Sequence, residues 1–449
     1  MNSEAMRISD ISDSLMDHAR ALLAIAEREG AAEAEVFGVV GRSVDVDLRK
    51  NEIELASESF HRGLGLRAVV NGAVGFSSTS DMSRLEEAAL SAVRSARARG
   101  ADESWHSLPL PERVRKPENI FDPLLEKITP ESCLDIAMGM LLGSSQVEGA
   151  KSLSGGVTCI SGAEFVLNSH GVELSEKSTV MQASMEAISK GEDVATGSEF
   201  HNSRLLKSDL QEVGRDAAKM AKSSLGGIKA ENGMADVLLK PLAFVELLEY
   251  TFVPSISSDN VQKGRSPLAN KVGKMIALES LSIIDDGLLS GGMGSSAFDG
   301  EGTPSQSTTV VDEGRLMGFL YDSYTAGKAG TKSTGNAARS GYSEIPRVSI
   351  RNLIVGSSEP FDLLSDTCGV LVNSLIGAHT ANPISGDFSV EARNSFYVAP
   401  GEEGRPIRSL MLAGNIFELL KDIDVGTDVR TVGTVVTPTV KVRMKVIGS

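Results

Sequence analysis

The chain has 449 residues, 41% of them apolar, which is ample for two or three domains with sizeable cores and excludes a disordered protein. Its formal charge of −16, from 60 acidic against 44 basic residues, repels phosphate backbones and anionic lipid and so argues against nucleic acid or a membrane surface as a direct partner. Cys133, Cys159 and Cys368 are odd in number, lie far apart and form no C-x-x-C, which fits a reducing cytoplasm, and no apolar run reaches about 18 residues.

The N-terminus has no charged-then-apolar signal pattern. Apolar positions at Ile11, Leu15, Ala19, Leu22, Leu23 and Ala26 predict an amphipathic helix from about Ile8 to Glu29, stopped by Gly30. Alternation through Val44, Val46 and Leu48 predicts a strand, and Asn71-Gly72 between two β-branched-rich runs predicts a hairpin. A helix follows with Ser80 or Asp81 as its cap. The first α/β domain thus spans residues 1–103, and a linker with four prolines and the only tryptophan spans 104–128. A middle α/β domain, 129–230, opens on a Thr129-Pro130-Glu131 cap, continues through strands with turns at Ser161-Gly162 and His170-Gly171, and closes on a helix ending near Leu225-Gly226. Residues 231–449 read as one large β-rich domain whose few helices include the run VELLEY, giving an α+β fold overall.

The six histidines include no pair at i, i+4, so no helical zinc pair is present. His61, His170 and His201 sit beside turns and read as surface residues. Cys368 stands eleven residues before His379, a conceivable nucleophile pair, although the apolar run after the cysteine reads as a buried strand in which thiols act as small hydrophobes. Asp285, Asp286, Asp299 and Glu301, amid glycines, do not follow the calcium-loop order and read as turns between strands. Two segments are richer. GRLMGFLYDSYTAGKAGTKSTGNAARSG has strand character through Phe319-Leu320-Tyr321 and then a long polar loop, and GAHTANPISGDFSVEARNSFYV joins polar turns to a strand starting near Phe388.

Those two segments, with NEIELASESFHRGLGLRAVVNGAVGFSSTSD and IRSLMLAGNIFELLKDID, resemble the TldD/PmbA family in the same order over nearly the whole chain. The family has two subunit types. TldD carries a helical His-Glu-x-x-x-His zinc motif and a late cysteine, whereas TldE, also called PmbA, lacks them. Counting back from Lys263-Gly264-Arg265-Ser266, the motif positions fall on Glu249, Tyr250 and Pro254, none of which supplies the chemistry. A zinc peptidase needs imidazoles on the metal and a carboxylate to take a proton from its water. The late cysteine is missing as well.

The resemblance therefore implies a TldE/PmbA-like, non-catalytic subunit, with no cofactor of its own. Zinc is expected in a TldD-like partner that forms a heterodimer with it, with a homodimer possible in isolation. The substrate implied is an extended peptide, paired backbone to strand edge. Channel-lining or partner-contact residues are expected at Arg315, Tyr321, Asp322, Tyr324, Lys328, Thr334, Asn336, His379, Asn382 and Asp387. Two other readings stay open: a gyrase-modulator-like interaction protein without peptidase activity, and an independent hydrolase using Cys368 and His379.

Overall fold

The computed structural model describes residues 8–400 and 402–448. The predicted first helix forms as Ile8–Arg28, with Leu15, Ala19, Leu22 and Ala26 buried. Three strands follow: β1 (Glu33–Arg49), β2 (Glu52–Val70) and β3 (Ala73–Thr79). Asn71 and Gly72 both take left-handed backbone angles, as a two-residue hairpin turn requires. Asp81 caps a short 3-10 turn that leads into the helix Leu85–Arg99.

The middle unit repeats this plan. Thr129 accepts from the Ser132 N–H, and Pro130 starts the helix Pro130–Ser145. Strands β4 (Ala150–Asn168), β5 (Glu173–Lys190) and β6 (Val194–Ser203) come next, then the helix Gln211–Ser223. Ser161-Gly162 makes no turn; it lies within β4, opposite Arg42 and Gly41. A Cβ at Gly162 would stand 2.8 Å from the Val40 carbonyl oxygen, so the glycine serves close strand approach.

The two units share one sheet. Antiparallel pairing of β1 with β4 gives the order β3-β2-β1-β4-β5-β6, so both α-β-β-β-α units contribute their first strand to the centre. Even-numbered β1 residues Val36, Val40, Val44 and Val46 pack under the four helices. The opposite face, with Phe37 and Val166, packs on Ala297 and Phe298 of the C-terminal domain. The molecule is layered as helices, sheet and β-rich domain.

In the C-terminal domain, strands Gly233–Leu239, Val440–Gly448, Leu410–Asn415, Asp387–Ala399 and Gly369–Ile376 pair in that order, and the last pairs back on the first, closing a ring. A second sheet of six strands, which includes Leu281–Asp286 and Ser307–Asp312, packs with this ring around one core. The helix Pro241–Tyr250, which contains VELLEY, inserts Phe244, Leu247 and Leu248 into that core. Phe319 to Tyr321 forms only an isolated bridge from Leu320 to Ser257, not a strand. No described helix is long and apolar enough to cross a membrane.

The sheet and the C-terminal domain are joined by buried charge. Arg67 on β2 donates to Glu35 on β1 and to Glu301, each at 2.7 Å, and Arg339 donates to the other oxygen of Glu35. Glu301 also accepts from the Ser323 N–H at 2.8 Å, and Asp299 accepts from the N–H groups of Glu301, Thr303 and Ala337. Asp299 and Glu301 lie in a turn between the bridged residues Phe298 and Pro304, as expected, but the turn is buried, whereas Asp285 and Asp286 end the strand Leu281–Asp286 instead of forming a turn. Buried with Asp299 and Glu301 is Asp285, which accepts from Asn336 and from the Arg351 N–H. Next to this junction Tyr342 crosses β2, and a Cβ on Gly63 would sit 2.3 Å from its ring.

Removing one partner of a buried ion pair leaves the other uncompensated. Arg67→Met strips the cation from Glu301 while keeping most of the side-chain volume. A loss of about 3–5 kcal/mol in urea unfolding is expected; a loss below about 1 kcal/mol would show that the network does not hold the junction.

Candidate functional site

The segment that the resemblance aligns with a zinc helix is helical only to Tyr250. Thr251 leaves the helical region (φ −126°, ψ −65°), its hydroxyl donates back to the Leu247 carbonyl, and a separate turn, Phe252–Ser255, carries Pro254. Proline has no ligand atom. Tyr250 is 42% exposed and meets His379 edge-on, with ring centroids 6.4 Å apart. Glu249 is exposed, with its carboxyl partly desolvated, which raises its pKa. Glu249, Tyr250 and Pro254 thus do not fit a zinc ion, and among the described residues no group of three or more His, Cys, Asp or Glu converges as a metal site would.

One turn back, Glu246 is the more perturbed acid. Burial pushes its pKa to about 7, opposed by the Leu375 N–H that it accepts at 2.5 Å and reinforced by the nearby charge of Glu249.

Pro254 opens onto a cavity of about 730 Å³ between the first unit and the C-terminal domain. Its walls include Arg67, Trp105, Asp322 and Tyr324, with residues 345–350 along one side. Asp322 caps the helix Ser323–Ala329 through a reciprocal box with Thr325, and Gly330 ends that helix in the left-handed region. The long polar loop expected here therefore folds back on itself. Burial, and then the Glu301 charge, raise the Asp322 pKa to about 6. Tyr324 donates to Asp102 at 3.0 Å and lies 6.4 Å from the Trp105 ring, over which the Arg67 guanidinium sits at 5.6 Å. Ser258 and Gln262 brace the helix through the Thr325 hydroxyl and carbonyl.

The expected site residues separate into groups. Asp322 and Tyr324 line the cavity, while His379 meets Tyr250 of the degenerate helix. Tyr321, Thr334 and Asn336 knit the loop together: Thr334 donates to Asn336, which is fully buried and donates to Asp285 and to the Ser349 carbonyl, and the Tyr321 N–H donates to the Thr334 hydroxyl. Asn382 closes a turn by accepting from Ile384 and Ser385, and Asp387 accepts from Ser385 and Asn415, bonds that lower its pKa. Arg315, which donates to the Gly273 carbonyl, and Lys328 are exposed and line no part of the cavity.

Cys368 is exposed, not buried, because it precedes the strand Gly369–Ile376. His379 follows that strand, and eight residues at about 3.3 Å each hold the two at opposite ends, so they form no nucleophile pair. His61 is exposed within β2, while His201, within β6, is half-buried with its Nε2 unpartnered. Sequence reasoning missed Arg67 and Trp105 as cavity residues; an arginine in a β-branched strand run and the lone tryptophan were the available signals.

The PmbA/TldA metallopeptidase domain 1 matches residues 34–98, the central domain 123–225 and the C-terminal domain 232–448. An uncharacterized protein of Methanocaldococcus jannaschii is 34% identical over 430 residues, 95% of this chain and 99% of that one. The metalloprotease PmbA of Escherichia coli O157:H7 is 26% identical over 438 residues, 92% of each. The crystal structure of TldE from Thermococcus kodakarensis superposes with a TM-score of 0.88 at 25% identity, covering 96% of this chain and all of that one.

The raised pKa of Glu246 has a signed consequence. Its folded value, about 7, exceeds the ordinary carboxylate value, so the folded state favours the protonated acid and ionisation destabilises it. Stability from this group is present at low pH and lost as pH rises from about 4.5 to 7. Relative to wild type, Glu246→Gln is expected to gain roughly 1–2 kcal/mol between pH 5 and pH 8 in urea unfolding. A pH-independent difference would contradict the assignment.

Proposed function

The chain belongs to the PmbA/TldD metallopeptidase family, and on that premise we propose that it is the TldE-like, non-catalytic subunit of a heterodimeric zinc peptidase. The observation that carries this is the degenerate helix: a tyrosine where the motif's glutamate would be, then a broken turn and a proline. Tyr250 cannot serve as a general base near neutral pH, and Pro254 cannot bind zinc. The metal that polarises the scissile carbonyl and activates water would be held by a TldD-like partner.

What this chain supplies is shape. Its cavity, with an aromatic pair and an irregular strand along one wall, suits an extended peptide whose backbone pairs with residues 345–350. Arg347 and Val348 are already paired with Ala338 and Ala337 on one side, which leaves the other side for a substrate strand. Trp105 and Tyr324 offer apolar faces with polar ends, a combination tolerant of many side chains. The substrate would be an unfolded or partly degraded chain rather than one fixed sequence.

The test is peptide cleavage and zinc content for this chain, for a TldD-like partner, and for the two co-expressed. Cleavage is expected only from the co-purifying complex, with about one zinc per heterodimer. Tight zinc binding and cleavage by this chain alone would overturn the assignment. A stable complex that cleaves nothing would favour a purely interacting role, as for the Thermotoga maritima protein of similar fold described as a candidate modulator of a DNA gyrase.

A further inference from the structure

The helices do not cover the seam between the two α-β-β-β-α units. On the helix side of the joined sheet, Ile8–Arg28 packs on β1 in the first unit and Pro130–Ser145 packs on β4 in the middle unit. Between the starts of these two helices lies a cavity of about 920 Å³, bordered by Ile8 and Ile11 on one side and by Pro123 and Thr129 on the other. It is on the opposite face of the sheet from the cavity of Trp105 and Tyr324, and its volume is in the range of small-molecule sites.

The register of four strands builds its floor. Arg62 on β2 stands opposite Val40 on β1, Val40 opposite Ala163 on β4, and Ala163 opposite Lys177 on β5. Residues directly opposite share a face, so this row has a cation at each end and apolar side chains between. One row along, Phe60 stands opposite Arg42. Arg42 fixes the far wall: it donates to the carbonyls of Glu126 at 3.2 Å and Ile128 at 2.7 Å, which ties the short helix Pro123–Glu126 and the residues after it down to β1.

Charge selects the occupant. Arg42, Arg62, Lys127 and Lys177 line the cavity against only two acids, Glu58 and Glu126, a local excess of positive charge on a chain whose formal charge is −16. Arg42 and Glu58 compensate each other at 2.5 Å, and Lys177 lies 3.7 Å from Glu126. Arg62 and Lys127 are exposed and form no ion pair among the described residues. Apart from Phe60, the apolar lining is aliphatic, so no pair of aromatic faces is present to stack a ligand ring. Aliphatic walls beside uncompensated cations match an aliphatic tail with an anionic head.

We propose that this cavity binds a single-chain acyl carboxylate, its hydrocarbon against Ile11, Val40 and Phe60 and its carboxylate held by Arg62 and Lys127. The site requires neither a TldD-like partner nor a peptide, so it stands independently of the peptidase reading.

The full chain is titrated with decanoate by isothermal titration calorimetry near neutral pH. One decanoate per chain is expected, with a dissociation constant of about 10–100 µM. Acetate, which lacks the tail, and decyltrimethylammonium, which carries the opposite charge, bind at least about tenfold more weakly. Arg62→Glu raises the decanoate dissociation constant by about tenfold or more. Arg62→Glu combined with Lys127→Glu reverses the preference, so that decyltrimethylammonium binds more tightly than decanoate. Circular dichroism melting confirms that each variant is folded. The proposal is overturned if decanoate shows no saturable binding up to about 1 mM, if decyltrimethylammonium binds the wild-type chain equally well, or if the double variant keeps wild-type affinity for decanoate. Binding only after removal of residues 1–7 also overturns it, and gives the cavity to the chain's own N-terminus.

Discussion

Arg67 is the side chain on which the molecule's architecture turns. Its guanidinium, only 5% exposed, stands between Glu35 of its own sheet and Glu301 of the C-terminal domain. Taking three ions out of water is costly, and the cost is recovered only when geometry is good and the remaining lone pairs are satisfied. Both conditions are largely met. Arg339 and the Ser323 N–H take further carboxylate oxygens, and although burial pushes the Glu301 pKa up, the Arg67 charge together with the hydrogen bonds from Ser323 and Arg67 holds it below its ordinary value. Apolar contact alone would let the sheet slide on the domain beneath it. Directional, buried charge fixes one register between them, and the cavity lies beside that fixed point.

The degenerate helix can be understood from the same side. Phe244, Leu247 and Leu248 face the core, whereas Glu246, Glu249 and Tyr250 lie on the face towards the Gly369–Ile376 strand and the loop that follows it. The residues that hold the helix in place are thus separate from those at the motif positions. Metal-binding chemistry can be absent from one face without disturbing the packing of the other.

Much of the fold was legible because its signals are local. The period of Ile11 to Ala26, the Thr129-Pro130 cap and the Asn71-Gly72 turn each fix an element from a few residues, and the elements formed where those signals stand. What was illegible is long-range. Glu35, Arg67, Glu301 and Arg339 are brought together across some 300 positions of chain, and nothing in the neighbourhood of Asp299 or Glu301 distinguishes a buried turn from an exposed one. Gly162 misled for a related reason: a glycine in a polar run signals a turn, but here it lets two strands approach. The helix after Asp322 did carry a signal, the Asp-x-x-Thr spacing of a capping box, hidden by the glycines and serines around it. The joining of two sequence units into a single sheet depends on β1 meeting β4, a pairing that neither strand's own pattern specifies.

The chain's only tryptophan is Trp105, and it lines the cavity with Arg67 over its ring and Tyr324 nearby. Near-ultraviolet excitation at the red edge, where tyrosine does not absorb, therefore addresses this cavity and no other part of the molecule. Its indole nitrogen donates to Glu33 at the start of β1, so the chromophore is anchored to the sheet rather than carried by a loose linker. The protein has in effect a built-in optical probe at the junction of its layers, sensitive both to what enters the cavity and to any parting of the sheet from the domain below.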